Sequence, residues 1–306
     1  MLISRLCNLY NIAQLYFSLE HTDNINTMSA EMSFGEHFDE LRSRVFIIVI
    51  AIILLTIFSM SFGIKSVTIY YDISNGFTTT KNNNSLRLFY PYPDPLNNIA
   101  IQLTTYMKNT LLPPEVELIQ TAPGQAFFAQ IYVALLIGII GSMPIIVKEI
   151  YGFISPAIGI NQTRKIGIVS IFLPTVCLFL CGVIFSYILI IPFTLNFLYK
   201  YGQAIGVATF LNINDFISFI LQFFLGFGIA FELPIIMYAI NMTGAVDPKF
   251  WRKNFRYAVI VLVIFGAVIT PDGSGITMWF VTGPMILLYL LGVIIINRKK
   301  TIINSL

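Results

Sequence analysis

The sequence predicts an all-α membrane protein: six transmembrane helices in a curved bundle, the last two helices short, with both termini cytoplasmic. Three observations predict this class. The 306 residues are 57% hydrophobic and only 11% charged, with a mean hydropathy of +0.80, which lies outside the soluble globular range. Six apolar runs can be set against the ~20 residues that a spanning helix needs. Lys and Arg gather on one set of connections, as they do in cytoplasmic loops. The net charge of +3 says little by itself and gives no reason to expect a nucleic-acid partner.

Residues 1–32 are weakly patterned. Leu9 to Leu15 is too short to span, and the stretch is set aside as an unassigned extension, with Met28 and Met32 as alternative starts. Ser33-Phe34-Gly35-Glu36 fits a capping box, so a helix should begin there and run into the first apolar run, Val45 to Phe62. On that helix Phe34, Phe38, Leu41 and Val45 form an apolar stripe, and Glu36, Asp39 and Glu40 share the other face. Glu36 and Glu40 are four residues apart and repel by about 0.2–0.5 kcal/mol. Such a patch suits a cationic partner, best a guanidinium that bridges a carboxylate with two hydrogen bonds. The alternative is a solvated first turn with Glu40 paired to Arg44.

Gly63 to Gln125 is the one long polar excursion, expected outside. Ser66 to Ser74 reads as a strand ending at the turn Asn75-Gly76, and Leu86 to Tyr90 as a second. Tyr90 to Pro95 should be extended, and Leu96 to Asn109 helical along the outer surface. Asn83-Asn84-Ser85 is a glycosylation sequon.

The second run, Ala126 to Val147, precedes an expected cytoplasmic loop from Phe153 to Lys165 whose Pro and Gly should stop the helix. Pro174 and Pro192 should bend the third run, Ile166 to Pro192. Asn212, Asn214 and Asp215 are cap candidates for the fourth, Phe216 to Ile240. That run contains Glu232, and a carboxylate at that depth costs several kcal/mol unless it is protonated, paired or wetted. Pro234 should open the helix beside it. The fifth run, Tyr257 to Thr270, reaches only about 21 Å against a core of ~30 Å. The turn Pro271 to Gly275 joins it to the sixth, Ile276 to Ile296. Basic residues lie at Arg42 and Arg44, at Lys148, Arg164 and Lys165, from Lys249 to Arg256, and from Arg298 to Lys300; Lys65, Lys81, Arg87, Lys108 and Lys200 lie opposite.

Cys7, Cys177 and Cys181 form neither a disulfide framework nor a metal site and are expected as small core residues. No cofactor is implied, and no zinc motif, aspartate pair or convincing nucleophile site suggests an enzyme. A small ion-coupled transporter titrating at Glu232 is the alternative function; it lacks a second deep ionisable residue and an inverted repeat.

Four stretches together resemble the TatC family, the signal-peptide receptors of the twin-arginine protein translocase. His37-Phe38-Asp39-Glu40-Leu41-Arg42 is similar to the family's N-terminal motif, with Phe for the usual Leu. Phe153-Ile154-Ser155-Pro156, Gly226 to Pro234, and Thr270-Pro271-Asp272 are similar to three further motifs. The resemblance runs from Phe34 to Arg298 and implies one membrane domain over 33–298, with a cytoplasmic tail at 299–306. It implies a plasma-membrane receptor, within an oligomeric complex, that binds paired arginines at its cytoplasmic face and recruits single-span TatA/TatB-like subunits for protonmotive-force-driven transport of folded proteins. Glu40 would be the main carboxylate, with Asp39, Glu36, Arg42, Phe153, Pro156 and Gln162 around it. Glu232 and Asp272 would be polar positions for partner docking. Gln162 stands where the family often has Glu, and Leu290 where it often has an acid, so Glu40, Asp39 and Glu36 would carry more of the recognition.

Overall fold

The computed structural model describes residues 34–72, 76–78, 85–158, 168–207, 209–242, 246–270 and 273–304. The extension at 1–32, Ser33, the sequon asparagines, Asn75, Gln162, Pro271 and Asp272 lie outside them. Contacts divide the chain into two units, 1–45 and 46–306.

Helix α1 (Phe34–Ser61) begins where the capping box places it. It leads into β1 (Phe62–Asp72), which pairs antiparallel with β2 (Gly76–Thr78) and β3 (Ser85–Pro93) in the order β2-β1-β3. The two expected strands therefore form one sheet, and the fold is mostly rather than wholly helical. β-Branched and aromatic residues along β1 suit a pleated surface, and the pairing sets Lys65 opposite Tyr90. Lys65 Nζ lies 3.7 Å from Asp94 Oδ2 and 3.8 Å over the Tyr92 ring.

Helix α2 (Ile99–Leu111) follows, close to the expected surface helix. Its N-cap Asn98 is fully buried, accepts from Ile101 N at 3.0 Å, and donates to the carbonyls of Met60 and Pro95, each at 2.9 Å. One side chain thus joins the end of α1 to the start of α2. Asn98→Ala would orphan buried backbone groups and is expected to destabilise the fold by about 2 kcal/mol, read as a lower melting temperature.

β4 (Glu117–Ile119) pairs parallel with β5 (Phe210–Asn212), a link between distant segments that no local pattern announces. Helix α3 (Gln125–Ile158) runs through Pro144 and on past Phe153. This corrects the expected loop at Phe153: the helix continues to Ile158, since proline removes one backbone donor and such a loss is tolerated in membrane helices. Helix α4 (Ile168–Phe185) meets a π-turn (Ser186–Ile190) and α5 (Ile191–Ala204). The N–H of Ile191 donates to the Ser186 carbonyl, and the wider turn sits just before Pro192, which has no donor of its own. Cys177 and Cys181 are exposed on α4, so they are surface rather than core residues.

Helix α6 (Ile213–Phe231) is capped by Asn212, as expected, and is followed by α7 (Leu233–Met242). Then come α8 (Pro248–Lys253), α9 (Phe255–Ile269) and α10 (Gly275–Asn304). Gly273 turns at φ +61°, in the left-handed region that favours glycine. The last helix has 30 residues, which corrects the expectation that it is short, while α9 is short as expected, with 15; the last helix continues past its apolar run into Arg298-Lys299-Lys300, all good helix formers. Among the described residues five helices are long and apolar enough to cross a membrane, and the sixth candidate, Phe255–Ile269, is shorter.

In the span carried by α6 and α7, 56% of the most apolar window is buried, against 6% in that of α1, so α6 and α7 form the most covered of the candidate spans. Phe216, Phe223 and Phe227 of α6 are fully buried. Glycines let backbones approach closely there. A Cβ on Gly182 of α4 would sit 2.5 Å from the Phe227 carbonyl oxygen, and one on Gly228 would sit 2.5 Å from the Phe179 ring. Tyr289 on α10 donates to the Trp251 carbonyl of α8 at 2.8 Å.

Candidate functional site

Two separate groups of polar residues interrupt the apolar pattern. The first lies on the opening turns of α1, within the 1–45 unit. Glu40 is held by Arg44, one turn on, with Nε at 2.9 Å and Nη2 at 2.7 Å from the same oxygen, Oε1. The pairing expected of a solvated first turn is therefore present. The second oxygen, Oε2, is buried and has no hydrogen-bond partner among the described residues, with His37 Nδ1 at 3.9 Å. A carboxylate oxygen left over in this way can take a further N–H, and a planar guanidinium is suited to give one. Asp39 and Arg42 flank it and are exposed; Glu36 is on the same helix, its side chain outside the described residues.

The second group lies at the junction of α6 and α7. Proline at 234 has no N–H to continue the ladder, so the helix tightens at Glu232, whose N–H donates to the Ile229 carbonyl at 3.1 Å. Glu232 is 8% exposed, and its Oε1 has no hydrogen-bond partner among the described residues. Its carboxyl meets the backbone of Phe179 on α4, and no ion pair reaches it among the described residues. Met237 and the Cα of Pro234 crowd Gly292 of α10, so the break is held between α4 and α10. A buried carboxyl with one unanswered oxygen is suited to a hydrogen-bond donor on an incoming apolar helix.

The remaining expected residues divide. Phe153 is half-buried on α3, while Pro156 belongs to the same helix with its side chain outside the described residues. Gln162 and Asp272 lie outside the described residues altogether. Sequence reasoning passed over Glu149, which is 8% exposed and 3.9 Å from the exposed Lys148. The signal was its position four residues before Phe153, which places both on one helix face. Among the described residues no group of His, Cys, Asp and Glu could hold a metal ion.

Comparison with known proteins adds a family. The profile described as Sec-independent protein translocase protein (TatC) matches residues 36–284. A Sec-independent protein translocase protein TatC of Cenarchaeum symbiosum (strain A) is 48% identical over 271 residues, covering 89% of this chain and 97% of that protein. One from Aquifex aeolicus (strain VF5) is 34% identical, covering 62% of this chain and 79% of that protein. A crystal structure of the twin arginine translocase receptor TatC superposes with a TM-score of 0.67 at 26% identity, covering 87% of this chain and all of the other.

Proposed function

This chain belongs to the TatC family of Sec-independent protein translocase proteins, and from that premise we propose that it is the receptor and core subunit of a twin-arginine export system. It is a multi-pass membrane protein. In the proposed reading both termini face the cytoplasm of a plasma membrane, and α1 presents Glu40 there to the paired arginines of a signal peptide. The observation that carries the reading is the second carboxylate oxygen of Glu40, an acceptor for which the described residues supply no donor. Asp39 and Glu36 add negative charge on the same turns, Arg42 limits which cations approach, and Phe153, Pro156 and Gln162 take part in recognition in this reading.

Full-length chain reconstituted in liposomes should bind a fluorescent paired-arginine peptide at least tenfold more tightly than its Lys-Lys counterpart, because ammonium groups lack the planar fork. Equal affinities would overturn the assignment.

Glu232 serves a later step in this reading: its unanswered oxygen takes a donor from a single-span TatA/TatB-like subunit within an oligomeric complex, and Asp272 is a second polar position for that partner. Glu232→Gln keeps the shape of the side chain. It should leave peptide affinity within about twofold while reducing crosslinking to the single-span subunit, since docking at a charged acceptor is worth about 1.5–3 kcal/mol. Proton flux through the isolated chain that Glu232→Gln abolishes would instead establish a transporter.

A further inference from the structure

We propose that the recess bounded by α2, β4 and the first turns of α3 and α6 holds the headgroup of an anionic glycerophospholipid, with Lys108 as its phosphate contact. The recess has a volume of about 520 Å³, within the ~300–1,000 Å³ typical of small-molecule sites.

Its level in the bilayer follows from its walls. Phe127 and Ile213 line it, and they stand in the first turns of the candidate spans Gln125–Ile154 and Ile213–Asn241. A recess at the start of two spans lies where headgroups meet hydrocarbon. The rim has the matching character: Phe127 is 56% exposed and Ile119 37% exposed, apolar surface that an acyl chain would cover.

The charge selects the headgroup. Ile101, Thr105 and Lys108 line the recess from one face of α2, and Gln130 lines it from α3. The Thr105 hydroxyl is already donated to the Ile101 carbonyl at 2.9 Å. The Thr104 hydroxyl is likewise donated, to the Ala100 carbonyl at 2.7 Å, and Gln120 Nε2 donates one hydrogen to the Ala122 carbonyl at 3.0 Å. Among the described lining residues Lys108 supplies the positive charge, with the Gln130 and Gln120 amides as neutral donors, and an ammonium suits a phosphate. Among the described residues no carboxylate lines this recess. Glu115 and Glu117 instead line a separate recess of about 650 Å³ that has no cation among its described lining residues. β4 thus parts the charges: Glu117 belongs to one recess, Leu118 and Ile119 to the other. Lys108 also sits in the last turn of α2, where a cation eases the helix dipole. That role needs no cavity beside it, whereas a phosphate needs both. The apolar rim commits the occupant to a lipid rather than a soluble phosphate.

The test uses full-length protein in detergent doped with equal trace amounts of phosphatidylglycerol and phosphatidylcholine of the same acyl chains, with bound lipid counted by native mass spectrometry. Wild type should retain phosphatidylglycerol about fivefold over phosphatidylcholine, the ratio expected for one lysine at a membrane surface. Lys108→Gln should bring the ratio to about one, with phosphatidylcholine retention unchanged, while Lys108→Arg and Lys200→Gln should keep the preference. Excess glycerol 3-phosphate should not displace the lipid. No preference in wild type, an undiminished preference in Lys108→Gln, an equal loss in Lys200→Gln, or displacement by glycerol 3-phosphate would each overturn the proposal.

Discussion

Glu40→Lys is expected to abolish crosslinking of a paired-arginine peptide to the first turns of α1, lowering affinity by at least about 100-fold. A hydrogen bond to a charged group is worth about 1.5–3 kcal/mol, and the reversal removes that contact and adds repulsion. It also turns the Glu40–Arg44 pair, closed at 2.7 Å, into two like charges one turn apart. The peptide therefore meets a cationic surface where it had met an acceptor. Folding should survive, because a partly exposed i,i+4 pair contributes only about 0.3–0.5 kcal/mol. Glu40→Gln, which keeps an acceptor without the charge, should fall between the two, near a tenfold loss by the same reasoning. Undiminished crosslinking in Glu40→Lys protein of normal melting temperature would remove Glu40 from the recognition surface.

Gly182→Val should cause the largest loss of stability of any change considered, more than about 3 kcal/mol. The added Cβ would meet the Phe227 carbonyl oxygen at 2.5 Å. A backbone atom in the most buried helix has nowhere to move without separating α4 from α6. Gly228→Ala is the informative contrast: there the collision is with the Phe179 ring at 2.5 Å, and a side chain can rotate part of the way clear. Yield of monodisperse protein and its melting temperature should rank wild type first, Gly228→Ala second and Gly182→Val last. A Gly182→Val protein that melts with wild type would mean that α4 and α6 do not touch at these glycines.

The reason Gly182 matters was not visible in the sequence, because its partner lies 45 positions away on another helix. The helices themselves were visible, since each carries its own apolar run, and so was the break at Glu232 and Pro234, because both residues are locally anomalous. Asn212 was readable as a cap for the same reason. What escaped was set by contacts between distant segments: the parallel pairing of β4 with β5, the bridge that Asn98 makes between two helices, and the burial of Glu149. The continuation of α3 past Phe153 escaped differently. Ser155-Pro156 read as a stop by local rules, and the helix runs through them to Ile158. Of the candidate site, the Glu40–Arg44 pairing was legible from spacing, the choice of Glu40 for recognition came from the family resemblance, and the unanswered oxygen on Glu40 required atomic positions.

The direct passage from α1 into β1 carries a mechanical consequence. Ser61 ends the helix and Phe62 begins the strand, and the joint is latched by Asp94 N to the Ser61 carbonyl at 3.2 Å and by Asn98 to the Met60 carbonyl. Gly63 lies so close to the Asn97 carbonyl that a side chain there would collide with it. Close-packed joints of this kind transmit displacement instead of absorbing it. The second half of α1 and the sheet therefore form one lever with no pivot between its arms: any tilt of the helix in the bilayer swings the strands beyond it by the same angle. Spin labels at Leu54 and Leu88 should keep a single separation with and without bound peptide.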